Sequence, residues 1–198
     1  FELPWREERF TRGEWLKEYV QARYGEGDDA LQQAWQLLGD GIYNSPKEKP
    51  QQGTHESLFC ARPGLDVWKA SAWAESKDYY NPKEVMESAR LMLSVADKYK
   101  GNNNFEYDLV DVLRQAIAEK GRLTLKVVSA AFKAEDKALF KQASERFLQL
   151  ILLQDELLGT RKEFRVGNWT GMARNIGQTP EEKNLYEWNA RVQITTWG

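Results

Sequence analysis

Apolar positions along this chain recur mainly at helical spacing. In residues 14–24, Leu16, Tyr19, Val20 and Arg23 fall at i, i+3, i+4 and i+7, with Gly25 placed to stop the helix. Asp28 or Asp29 can cap a second helix carrying Leu31, Ala34, Trp35 and Leu38, and Gly39 and Gly41 loosen its end. From 44 to 64 the pattern vanishes. Pro46, Pro50, Gly53, Pro63 and Gly64 interrupt a polar stretch that also holds the only histidine, His55, and the only cysteine, Cys60. A structureless connection of about 20 residues is uncommon inside a compact domain and is often functional.

Residues 70–80 are aromatic-rich and irregular, and then Asn81-Pro82 signals a helix start, with Asn as N-cap and Pro at the first helical position. Val85, Ala89, Met92 and Ala96 form one stripe reaching down to Tyr99, and residues 101–104 read as a loop. The next helix is predicted over 106–120, burying Leu109, Val112, Leu113, Ala116 and Ile117, with Gly121 as a C-cap or a weak point. Helical spacing continues over 123–132. The longest run, 135–158, puts Leu139, Phe140, Ala143, Phe147, Leu150, Ile151 and Leu157 on its apolar side and ends at Gly159. A short segment follows around 169–176. Thr179-Pro180-Glu181-Glu182 then combines a capping box with a first-turn proline, opening a last helix with Leu185, Trp188 and Val192 as its buried stripe.

No alternating strand pattern competes with these helices. The expected class is all-α, a multi-helix antiparallel bundle-like domain over residues 1–198, with no period near 34 residues to suggest a repeat array. The chain's 28 basic and 30 acidic residues are interspersed and nearly cancel, which leaves no footprint for nucleic acid or an anionic membrane. No apolar run approaches the roughly 18 residues of a membrane span, and the first ten residues do not read as a signal peptide. One cysteine and one histidine exclude a disulfide framework and a cysteine-based zinc site, so neither a metal nor a cofactor is expected. The final stretch, 184–198, carries two tryptophans on an amphipathic helix and reads as a cut edge, so the domain is expected to be incomplete at that end.

The string Tyr186-Glu187-Trp188-Asn189-Ala190-Arg191, continuing through Gln193-Ile194-Thr195-Thr196-Trp197-Gly198, resembles the C-terminal helical domain of the α-N-acetylglucosaminidases, glycoside hydrolase family 89. Further similar strings run in the family's order: Arg23-Tyr24-Gly25, Ala34-Trp35 with Tyr43-Asn44, Arg62-Pro63, Tyr80-Asn81, residues 107–111 with Arg114-Gln115-Ala116, and Phe164 with Gly167 and Trp169. Their collinearity over nearly the whole chain carries the resemblance. It implies roughly the first three-quarters of a helical domain that follows a (β/α)8-type catalytic barrel. The two catalytic carboxylates lie in that barrel, so no catalytic residue is assigned here.

The resemblance also implies partners and sites. The catalytic barrel domain of the same polypeptide would be the chain's neighbour, and a glycan ending in N-acetylglucosamine its substrate. A periplasmic or extracellular bacterial protein is the expected setting. His55 would hydrogen-bond the sugar, since imidazole offers a donor and an acceptor. Trp169 would border the pocket; its flanks, Gly167-Asn168 and Thr170-Gly171, read as polar and flexible rather than as core helix. Asn168-Trp169-Thr170 is also a glycosylation sequon, which would clash with that role unless unused. Asp108 and Arg191 are read as structural ion-pair members, Arg62 as a brace for the loop, and Trp68, Trp73, Tyr79 and Tyr80 as a packing seam. The alternative is a non-catalytic helical module that binds glycan or a partner through its tryptophan-rich surface.

Overall fold

The computed structural model describes residues 9–44, 57–61, 64–67 and 79–194, and among these there are seven α-helices and no strand. The all-α expectation holds. The chain divides into two compact units, one of Phe1–Lys49 with Tyr79–Ala116 and one of Pro50–Asp78 with Ile117–Gly198.

The first unit contains α1 (Arg12–Tyr24), α2 (Asp29–Asp40), α3 (Pro82–Ser94) and the opening turns of α4 (Asn103–Lys133). Local chemistry sets the boundaries. Thr11 and Glu14 close a capping box on α1, and Gly25 stops it in the left-handed region at φ 89°, where a side chain would be strained. Asp28 caps α2 and Asn81 caps α3 ahead of Pro82. Leu31, Ala34, Val85, Met92 and Phe105 fill the core. Ser88 donates to the Ala34 carbonyl at 3.1 Å, letting α2 and α3 approach with that buried hydroxyl satisfied. Boundaries differ from those expected: α1 opens at Arg12 rather than Glu14, α3 ends at Ser94 although Tyr99 is buried as predicted, and α4 takes in Asn103 and Asn104. Asn102 explains the early start of α4, since its side chain accepts from the Phe105 amide and serves as the helix's opening cap.

The second unit holds the rest of α4, α5 (Lys137–Gly159), α6 (Val166–Ile176) and α7 (Pro180–Gln193), with 3-10 turns at Leu58–Cys60 and Lys162–Phe164. Gly121 is not a C-cap, because α4 runs through it unbroken. Leu58, Leu125, Val128 and Ala143 form the buried cluster, with Phe140 and Phe147 packed against it. The α4–α5 connection turns at Glu135, which takes a positive φ of 54°, and Asp136 then caps α5 through the Leu139 amide. On α5, Ala143 and Leu150 are buried as predicted, whereas Leu139 and Ile151 are exposed. The stripe predicted for α7 is also corrected: Leu185 and Trp188 are exposed, and Ala190 is the buried residue. Periodicity finds the apolar side of a helix, but it cannot say whether this stretch of chain covers it.

Candidate functional site

In the first unit, one buried carboxylate collects three donors. Arg23 reaches Asp108 along one edge of its guanidinium, through Nε to Oδ2 and through Nη2 to Oδ1, the latter at 2.6 Å. The Tyr24 hydroxyl donates to Asp108 Oδ2 at 2.8 Å and itself accepts from Trp35 Nε1 at 2.8 Å. The bond to Asp108 raises the Arg23 pKa, and burial followed by the Asp108 charge raises that of Tyr24, so one stays charged and the other protonated. Bidentate geometry and a neutral third donor satisfy the carboxylate inside the core.

Three strings that carried the resemblance meet here: Arg23-Tyr24, Ala34-Trp35 and Tyr107-Asp108. Scattered over more than eighty residues of sequence, they build one structural node, as expected for Asp108. Tyr79 and Tyr80 join the same unit as packing residues. Their rings cross edge to face at 5.5 Å, and the Tyr79 hydroxyl donates to the Ile42 carbonyl at 2.5 Å. Trp68, Trp73 and Arg62 lie outside the described residues.

The second unit presents Trp169. It sits on α6, a regular helix, so the flexible flanks inferred from glycine and polar neighbours are corrected. α6 and α7 form an antiparallel hairpin. Trp169 Nε1 donates to the Ala190 carbonyl at 3.2 Å, while Arg174 reaches Asn184 at 2.8 Å and Glu187 at 3.1 Å. Arg191 completes the ion-pair cluster on Glu187 at 2.7 Å, in keeping with a structural role. The two arginines hold the Glu187 carboxyl below its usual range, Arg191 contributing the larger share. The indole is thus fixed along its pyrrole edge, and 49% of the residue's surface remains exposed. Thr170, the next residue, is buried. The amide of Asn168 donates to the Lys162 carbonyl, tying the preceding turn to α6.

His55 lies outside the described residues, but the chain just after it is anchored. Ser57 caps the Leu58–Cys60 turn, Leu58 enters the core cluster, and Phe59 meets Phe147 edge to face at 5.7 Å. Asp66 accepts from Ser129 at 3.1 Å and from Lys133 at 2.8 Å, which ties residue 66 to α4. Among the described residues, no cluster of three or more His, Cys, Asp or Glu side chains is placed to hold a metal. No described helix is long and apolar enough to cross a membrane. Of the two predicted sugar contacts, then, only Trp169 falls in described chain. The Tyr24–Trp35–Asp108 node is the feature missed as a unit, although each of its parts stood in a recognised string.

Comparison with known proteins agrees on one family. The model of the α-N-acetylglucosaminidase C-terminal domain matches residues 15–198. Human α-N-acetylglucosaminidase is 31% identical over the whole chain, which spans 26% of that protein. The family 89 glycoside hydrolase of Clostridium perfringens superimposes on the whole chain with a TM-score of 0.89 and 33% identity, and the chain spans 22% of it. That enzyme is solved with its substrate GlcNAc-α-1,4-galactose and with 2-acetamido-1,2-dideoxynojirmycin. The chain spans about a quarter of these relatives, and it belongs to the family of α-N-acetylglucosaminidase C-terminal domains.

Proposed function

We propose that this chain is the helical wall of the sugar pocket in an enzyme that removes terminal α-linked N-acetylglucosamine from glycans. Its fit along its full length to a family 89 enzyme solved with GlcNAc-α-1,4-galactose is the observation that carries this reading. The catalytic barrel of the same polypeptide supplies the chemistry: two carboxylates about 5–5.5 Å apart, one a nucleophile and the other an acid and then a base, as a retaining mechanism requires. The helical domain narrows the pocket to a terminal sugar. His55 offers hydrogen bonds to sugar hydroxyls, and Trp169 offers an aromatic face to the pyranose ring. Apolar residues exposed on the second unit, among them Leu152, Met172 and Trp188, supply area for packing against the rest of the polypeptide. By its kinship with glycan-degrading enzymes, its setting in this reading is the periplasm or the outside of a bacterial cell.

The test compares the isolated 198-residue chain with the full-length enzyme on an aryl α-N-acetylglucosaminide. The chain alone is expected to be inactive and to bind N-acetylglucosamine too weakly for calorimetry, whereas the full-length enzyme turns over. In that enzyme His55→Ala is expected to raise KM about tenfold. Turnover by the isolated chain would refute the division of labour, and tight binding by it would favour the glycan-binding module instead.

A further inference from the structure

The two ends of the α6–α7 hairpin are closed by different devices. Near the start of α6, the Trp169 indole N–H donates to the carbonyl of Ala190, in the last turn of α7. The last four carbonyls of a helix have no partner within it. The next candidate donor, the Ile194 amide, turns instead to the carbonyls of Arg191 and Val192. Trp169 therefore caps α7 from a neighbouring helix, and the same bond sets the plane of its half-exposed ring. At the other end, Gly177 lies against the first turn of α7. A Cβ there would come within 2.6 Å of the Lys183 nitrogen and 2.9 Å of the Glu182 carbonyl carbon. Both are backbone atoms and cannot swing aside, so a side chain at 177 must shift one helix along or away from the other. The φ of Gly177 is −68°, so close approach rather than backbone conformation demands the glycine.

We infer that Gly177 is a positioning residue for the sugar contact: by letting α6 and α7 close, it holds the Trp169 ring at the orientation dictated by the Ala190 carbonyl. This rests on the reading of Trp169 as a wall of the sugar pocket. Stacking on a pyranose requires the ring plane to be fixed before substrate arrives, and an unfixed indole spends binding energy on ordering itself. A bond from the pyrrole edge leaves the ring faces available.

The experiment measures KM and kcat of the full-length enzyme on an aryl α-N-acetylglucosaminide for W169A, W169F, G177A and W169A/G177A, with thermal denaturation as a check on folding. W169A is expected to raise KM about tenfold. W169F keeps an aromatic ring but has no N–H, and it is expected to show at least half of that effect on a logarithmic scale. G177A is expected to raise KM several-fold with kcat within twofold, and to add nothing in the W169A background. A KM effect of G177A that persists undiminished without Trp169 overturns the proposal, because it would then act by another route. Wild-type behaviour of W169F beside an impaired W169A overturns it as well, and the W169F arm decides the matter if G177A does not fold. An unaltered KM in W169A refutes the pocket role of Trp169 itself, a failure distinct from the other two.

Discussion

Gly121 lies beneath the ring of Phe59, so close that a Cβ on the glycine would stand 2.6 Å from Phe59 Cζ. A glycine inside a helix costs roughly 1 kcal/mol relative to alanine, and here that cost gives the 3-10 turn at Leu58–Cys60 a notch to dock in. Gly121→Ala should therefore destabilise the chain despite better helix propensity, since overpacking of about 1–3 kcal/mol outweighs the gain. Urea denaturation checks this, and adding Phe59→Leu should recover part of the loss. A more stable G121A would show that the ring moves aside freely.

Asp108 is the shared acceptor of the first unit, so its removal strands two partners at once. Asp108→Ala should cost about 3 kcal/mol, the lower end for a broken buried pair because Arg23 keeps partial access to water. Equilibrium unfolding would measure it, and a loss under about 1 kcal/mol would mean the node is solvated.

The raised pKa of Tyr24 has a definite sign in stability. The folded state holds the phenolic proton more tightly than the unfolded chain, whose tyrosine titrates near pH 10. The contribution is fully present below about pH 10 and is lost as pH climbs beyond it, while the unfolded state ionises and the folded state resists. Burial shifts Tyr19, Tyr79 and Tyr99 the same way, steepening the decline. Tyr24→Phe should flatten the dependence of unfolding free energy on pH above 10 by close to one proton, and an unchanged slope would contradict the assignment.

Thr179 and Glu182 form a reciprocal capping box at the start of α7, and Glu182 also accepts from the Gln178 amide. Thr179→Ala should cost about 1 kcal/mol. Hydrogen exchange should show the loss concentrated in α6 and α7, and a uniform change across the chain would argue against a local cap.

Leu148 and Leu152 stand four residues apart on α5, and both are exposed. The isolated chain should bind a hydrophobic dye such as ANS more strongly than the full-length enzyme does. Leu152→Glu should reduce that binding without lowering the melting temperature. A large drop in melting temperature would place Leu152 in the core instead.

Sequence reasoning succeeded where structure is local. Asn81-Pro82 and Thr179-Pro180 mark helix starts because a cap needs only its own next three residues. It stops short where the deciding partner is distant: nothing around Gly121 announces a phenyl ring sixty-two positions earlier, so a glycine in a helical run leaves a C-cap and a mere weak point equally open. Leu185 and Trp188 show another limit, since an apolar stripe states a demand for cover without saying what provides it. At the α6–α7 hairpin, the sequence singles out Trp169 but not its capping of α7, because its partner is a backbone carbonyl with no signature in sequence.

The polar node in the first unit runs in one direction only. Trp35 can give a proton but not take one at its indole nitrogen, and Arg23 only gives. Having accepted from Trp35, Tyr24 must point its single proton at Asp108. Every arrow ends on position 108, where Oδ2 faces two donors and Oδ1 faces a third. An asparagine there would match the shape and still fail, because either placement of its NH2 meets a donor head-on. Direction alone, apart from charge, therefore specifies a carboxylate at that position.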